Sequence, residues 1–246
     1  MKTTRITLLL TMLLIGILAT SGKAEVKDIK PSKNYITRNY KVAGFDKLDI
    51  STVADVYYTQ STDGTTSVEI YGPDNIVELI QLSIKNKTLT IFLEKKNRVK
   101  NIKKMKVTIS SPNLYALSFK GVGDVNIAKG IKTTTLDLSN HGVGNIVVDG
   151  VECETLKVVS SGVGNIKLLG ETQSVTLTSD GVGNINASEL KSVHVVASAQ
   201  GVGNISCYAT ESISAKAGGI GNITYKGNPS EKKIHKSGIG SIKQKQ

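Results

Sequence analysis

The sequence predicts an all-β protein built as a parallel β-helix, a solenoid of about 20 residues per coil. Three observations carry that prediction. A five-residue phrase, glycine–aliphatic–glycine–polar–aliphatic, occurs seven times: GVGDV from Gly121, GVGNI from Gly142, Gly162, Gly181 and Gly201, GIGNI from Gly219 and GIGSI from Gly238. Successive copies are 21, 20, 19, 20, 18 and 19 residues apart, a period that marks stacked repeats. Between them lie only short runs of alternating apolar and polar residues. Strands that short bury a core only when each pairs with its counterparts in the coils above and below.

The first 24 of the 246 residues read as a secretory signal peptide. Lys2 and Arg5 precede an apolar run from Ile6 to Ala19, and small residues lead to an expected cleavage after Ala24. That run falls short of the ~20 residues a membrane-spanning helix needs. Residues 25–39 are polar, include Pro31, and are expected to form a flexible leader.

From residue 40 to about 115 the pattern is strand-like but irregular, with KLDIS (47–51), VADVYYT (53–59), SVEIYG (67–72), TLTIFLE (88–94), KVTIS (106–110) and LYALSF (114–119). Asp63-Gly64, Gly72-Pro73-Asp74 and Ser111-Pro112-Asn113 separate them as turns. Ile76–Ile80, after Pro73, is expected to form one helical turn. Thr52-Val53-Ala54-Asp55-Val56 reads as a degenerate first copy of the glycine phrase, which makes this half continuous with the repeats; a separate small β domain over 40–115 is the alternative.

Residues 116–246 carry the regular repeats. Each unit is expected to hold two strands, one after the glycine phrase and one before the next, joined by a loop such as Asp149-Gly150 or Leu169-Gly170. Strand alternation places Val125, Ile146, Ile166, Ile185, Ile205, Ile223 and Ile242 in one inward column. Ile127, Val148, Leu168, Ala187, Cys207 and Tyr225 form a second. The glycines suit a sharp bend or a close approach of neighbouring coils. The polar position makes a column of Asp124, Asn145, Asn165, Asn184, Asn204 and Asn222, expected to hydrogen-bond side chain to side chain as a structural ladder.

Composition bears on function mostly by exclusion. Removing Lys2, Arg5 and Lys23 lowers the formal charge of +11 to +8, and Arg5, Arg38 and Arg98 are the only arginines. Sequence-specific nucleic-acid readers lean on arginine, so nucleic acid is not an expected partner. One basic cluster stands out: Lys95, Lys96, Arg98, Lys100, Lys103, Lys104 and Lys106. It reads as a solvated loop and edge strand guarded by lysines, or as a contact for a polyanion such as an acidic polysaccharide. Cys153 and Cys207 lie three repeats apart, about 14 Å along a stack with ~4.8 Å spacing, too far for a disulfide; two free thiols are expected.

No catalytic, metal or cofactor site emerges. The phosphate-binding GxGxxG needs a third glycine and a following helix, and calcium-binding rolls use a shorter, aspartate-rich repeat. His141, His194 and His235 fall in different registers of different repeats. The acids, among them Asp137, Glu152, Glu154, Glu171 and Asp180, look scattered; Asp137 and Lys157 take equivalent outward positions, which predicts a surface ion pair.

The order of segments resembles the head GIN domain family, labelled as an auto-transporter adhesin head. The resemblance runs from FDKLDISTVADVYYTQ (45–60) through VEIYG (68–72), LTIFL (89–93) and VTISSPNLYALSFKGVGDVNI (107–127) to ITYKGNP…SGIGSI (223–242). Family repeats usually begin Ser-Gly; Ser161 and Ser237 keep that serine, while His141, Asp180 and Gln200 replace it. The resemblance implies a right-handed β-helix and an exported protein. It carries over no catalytic residues. The expected function is a non-enzymatic scaffold binding glycan or another envelope polymer. The alternatives are a carbohydrate-active enzyme on the same solenoid and a structural envelope protein assembling end to end.

Overall fold

A computed structural model describes residues 27–94, 97–99, 102 and 104–245. The expected signal peptide over 1–24 lies outside the described residues. The N-terminal half holds β1 (Lys27–Ile29), β2 (Tyr35–Tyr40), β3 (Lys47–Ser51), β4 (Asp55–Gln60), β5 (Ser67–Pro73), helix α1 (Asp74–Val77), β6 (Ile80–Lys85), β7 (Thr88–Leu93), β8 (Asn97–Val99) and β9 (Lys106–Ser111). The repeats follow as β10 (Ala116–Phe119), β11 (Val125–Ile127), β12 (Ile131–Asn140), β13 (Ile146–Ser160), β14 (Ile166–Ser179), β15 (Ile185–Ala199), β16 (Ile205–Ala217), β17 (Ile223–Lys226), β18 (Glu231–Lys236) and β19 (Ile242–Gln244).

These elements form a parallel β-solenoid of about six turns with roughly 20 residues each. β12 to β16 pair in sequence order, all parallel, with like positions of successive repeats opposite one another. The inward columns close into a continuous core. Val125, Ile146, Ile166, Ile185, Ile205 and Ile223 are all buried, as are Leu136, Leu156, Val175, Val195 and Ile213 on the strand before each bend. Fully burying each large aliphatic contributes roughly 1.5–3 kcal/mol. Ile242, at the last described coil, is only half-buried because no further coil covers it among the described residues.

The loops expected at Asp149-Gly150 and Leu169-Gly170 are not loops. β13 and β14 run straight through them, with a register shift between Asp149 and Val151. Gly150 and Gly170 take φ of 96° and 127°, so one glycine turns the strand without leaving the sheet. This bend opens a third side to the coil, which buries Ile131, Val151, Leu190 and Ala209.

The N-terminal half joins the same stack, out of chain order. β3 pairs with β10 and β4 with β11, so residues 47–60 form a coil directly on the first repeat. β7 and β9 then stack on the far side of β3 and β4. Beyond them the direction reverses: β6 lies antiparallel on β7, β5 on β9, and β2 on β5. These reversed strands, with α1 and its buried Ile76 and Val77, close that end of the core. The leader expected over 25–39 is therefore ordered in part. β1 pairs with β8, and β2 begins at Tyr35 because its edge completes the capping sheet.

Candidate functional site

The bend between the strand before each glycine phrase and the strand after it is built by the phrase itself. A Cβ on Gly162 would meet the Gly142 carbonyl oxygen at 2.1 Å. Gly164 combines a φ of 138° with an equally close approach, 2.1 Å, to the Gly144 oxygen. Successive coils thus touch backbone to backbone. In the degenerate copy Ala54 stands where the repeats have the second glycine, and it keeps its side chain because the coil on its other side, at Met105, is built differently.

The asparagine column hydrogen-bonds along its whole length. Asn165 Nδ2 donates to Asn145 Oδ1 at 3.2 Å, Asn184 to Asn165 at 3.1 Å, Asn204 to Asn184 at 3.0 Å and Asn222 to Asn204 at 3.1 Å. Asn145 donates to Asp124 at 3.0 Å. Each Oδ1 also accepts the backbone N–H of the residue one coil on, as Asn165 Oδ1 does from Asn184 at 3.0 Å and Asn222 Oδ1 from Ser241 at 2.9 Å. The oxygens are filled from within the stack, which assigns this column to holding register.

The aliphatic residue between the two glycines points outward. Val122, Val143, Val163, Val182, Val202, Ile220 and Ile239 bridge one another in register, and each is 48–75 % exposed. The sequence reading missed this stripe. Its signal was available: seven aliphatics in seven copies at one position, three residues before an inward valine or isoleucine.

A second outward feature lies across the coil, where the third side meets the strand leading to the next phrase. An open groove of about 660 Å³ crosses the coils there. Its floor is a column in register, Thr133, Cys153, Thr172 and Ser192. The hydroxyls are occupied locally: Thr172 Oγ1 donates to the Ser174 carbonyl at 3.2 Å and Ser192 Oγ to that of Leu190 at 3.2 Å. One wall is Lys132, Glu152, Glu171 and Lys191, aligned across successive strands and all exposed. Thr134, Glu154, Gln173 and Val193 form the other. Lys132 is ion-paired with Glu152. Three of the acids that look scattered in the chain, Glu152, Glu154 and Glu171, are gathered here, on the coils that follow the glycine phrases at Gly142 and Gly162. Asp137 and Lys157 do lie opposite one another, but no ion pair joins them.

The two cysteines are free and buried. Burial pushes the Cys207 thiol up to about 12. Cys153 is also raised by burial, which the 3.5 Å contact of its sulfur with Thr172 Oγ1 partly offsets. Both are thereby removed from thiolate chemistry at neutral pH.

Of the basic cluster, Lys95, Lys96, Lys100 and Lys103 lie outside the described residues. Arg98 sits on β8 and forms a 2.8 Å ion pair with Asp28 of β1, so it acts as a clip between those strands. Lys104 and Lys106 are exposed and line a cavity on the capping sheet, away from Arg98. Among the described residues no group of three or more histidine, cysteine or acidic side chains is placed to hold a metal ion. No helix among them is long and apolar enough to cross a membrane.

Comparison with known proteins bears on this fold. A crystal structure of a putative adhesin from Bacteroides fragilis is 53 % identical, with a TM-score of 0.87, over 88 % of this chain and 100 % of that one. A putative lipid binding protein from Parabacteroides distasonis is 22 % identical with a TM-score of 0.71, over 89 % of this chain and 100 % of that one. A putative adhesin from the same species is 24 % identical with a TM-score of 0.65 over the same shares. The latter two speak to the fold alone. No curated protein matches. The family model described as "Putative auto-transporter adhesin, head GIN domain" matches residues 44–229, from the start of the coil of β3 and β4 to the loop after β17, and the chain belongs to that family.

Proposed function

We propose that the protein is a non-enzymatic, exported scaffold at the cell envelope that binds a surface polymer, in the first instance a glycan, as an adhesin does. The observation that carries this reading is the groove. One wall sets a charged side chain on every coil, Lys132, Glu152, Glu171 and Lys191, at coil spacing, ~4.8 Å, from one rigid backbone. An extended polymer laid along it meets a charged donor or acceptor at each coil, so many weak hydrogen bonds add without the polymer folding. The adhesin description of the family, and of the Bacteroides fragilis relative, supports the same reading.

The two alternatives draw less support. Glu152 and Glu171 are adjacent in register, a spacing open to paired-carboxylate chemistry. Both are exposed and share one solvent environment, however, whereas an acid–base pair needs two different ones. End-to-end assembly would stack a second molecule on β18. There Lys232 and Lys236 occupy the inward positions of Ile213 and Ala217, and stacking would bury both charges.

The test is a panel of envelope polysaccharides and lipopolysaccharides presented to the purified protein. The proposal expects saturable binding to at least one polymer, with loss in a Glu152→Gln/Lys191→Gln variant of unchanged thermal stability. Silence across the panel would sink it. Cleavage of any polymer would favour the enzyme instead.

A further inference from the structure

The outward face of the capping sheet differs in chemistry from the rest of the solenoid. The registers of β2, β5, β9 and β4 align Thr37, Tyr71, Lys106 and Asp55 in one row, Asp55 Oδ1 being taken up by the backbone N–H of Asp124. Asn39, Glu69, Thr108 and Tyr57 of β4 fill the next. Together with Lys104 these rows enclose an open cavity of about 520 Å³, lined by Thr37, Glu69, Tyr71, Lys104, Lys106 and Thr108. Three of the chain's eight tyrosines meet here. The Tyr71 ring is backed by Tyr35, with centroids 5.6 Å apart. Lys106 Nζ stands 5.8 Å from the centroid of the Tyr57 ring, and Tyr57 is 39 % exposed.

We propose that this cavity is a subsite for an anionic sugar unit of an acidic polysaccharide. Neither Lys104 nor Lys106 is ion-paired among the described residues, so both ammonium groups are free to donate charge-assisted hydrogen bonds to a carboxylate or phosphate. Resting Lys106 against an aromatic face holds its stem in place and lowers the ordering cost of binding. Tyr71, stiffened by Tyr35, offers a flat apolar surface to the C–H face of a sugar ring. Glu69 accepts from sugar hydroxyls, and Thr37 and Thr108 both donate and accept. A free inorganic anion would use the lysines alone and leave the tyrosines and Glu69 without a role. The whole set fits a sugar that carries a charge. This subsite rests on the reading of the protein as a polymer binder and names the class of polymer it would select. It also gives Lys104 and Lys106 of the basic cluster a separate task from Arg98.

The test is titration calorimetry at low and physiological salt with polygalacturonate, the same polymer fully methyl-esterified, and a phosphomannan. The expected result is binding to polygalacturonate that weakens with salt and drops about tenfold or more on esterification. A Lys104→Gln/Lys106→Gln variant is expected to show the same drop, and Lys104→Arg/Lys106→Arg to restore most of it. Tyr71→Ala should weaken both forms of the polymer alike, since its contact does not depend on charge. Phosphomannan binding in place of polygalacturonate would assign the anion as phosphate and keep the site. Equal affinity of wild type and the Lys104→Gln/Lys106→Gln variant for every acidic polymer would overturn it, as would failure to bind any of them. Thermal melts of each variant confirm folding. The Glu152→Gln/Lys191→Gln groove variant separates the two claims: if the groove reading alone fails, that variant binds every polymer as wild type does, while the lysine variant still loses the acidic ones.

Discussion

Gly164 shows how little freedom the repeated phrase has. Its positive φ and the 2.1 Å approach of the Gly144 oxygen each exclude a side chain. Gly164→Ala is expected to destabilise by about 2–4 kcal/mol, a fall in Tm of roughly 5–15 °C by calorimetry. Gly44→Ala is the internal control: nothing lies within 4 Å of its added Cβ, and its φ is not in the left-handed region, so stability should hold or rise slightly. The cysteines give a second residue-scale prediction. With the Cys207 thiol held up near 12 in the fold and ionising at about 8.5 when unfolded, the unfolded chain loses its proton first. Stability must therefore fall as pH rises from about 8.5 toward 12. At pH 8 a thiol reagent should find Cys207 silent in the native protein and both cysteines reactive in denaturant. Residue roles were legible where the repeat constrains them: the inward isoleucines, the asparagine column and buried Cys207 all follow from position within the phrase. The outward valines were legible in principle. Their uniformity, against a neighbouring column that runs Lys120, His141, Ser161, Asp180 and Gln200, marks a position the fold alone does not dictate.

The elements divide into those the period specifies and those it does not. A strand alternating in a 20-residue repeat has one way to stack, so the parallel pairing of β12 to β16 could be read from spacing. The bends at Gly150 and Gly170 could not, because a glycine within a strand and a glycine in a loop look alike in sequence. The order of the N-terminal strands was also hidden: alternation says that β3, β4, β7 and β9 are strands, and nothing in it says that β3 and β4 sit between β10–β11 and β7–β9. The segment before β2 is held by Asp74 at the start of α1. Its carboxylate accepts from Ser32 Oγ at 2.5 Å and Asn34 Nδ2 at 2.8 Å, and these bonds, Ser32 first, hold its pKa below the usual carboxylate range. That contribution is present above about pH 3.9 and is lost as pH falls through the lower folded value. Amides of residues 32–36 should lose protection as pH falls through that lowered value, before the coils open, and Asp74→Asn should bring the same loss to neutral pH. Unchanged exchange in that variant would mean the strand pairing of β2 alone holds the segment.

At the scale of the whole molecule, the stack is closed at one end by reversed strands, and the last described coil at the other carries Lys232 and Lys236 at inward positions on either side of Ile234. Its long sides are left as the surfaces that can meet a partner. They differ: a polar groove on one corner, an apolar stripe on another, and a tyrosine–lysine face over the cap. The fold class was legible because seven copies of one phrase admit few architectures. The groove was not, because Glu152, Glu154 and Glu171 become neighbours only once the third side of the coil exists. The central claim is that the groove carries the polymer. Carboxylate footprinting by mass spectrometry, with and without a polymer found to bind, tests it most directly. Protection of Glu152, Glu154 and Glu171, with Asp180 beside the apolar stripe unchanged, is the predicted result. Protection of Asp180 with the three groove glutamates as reactive as before would contradict it.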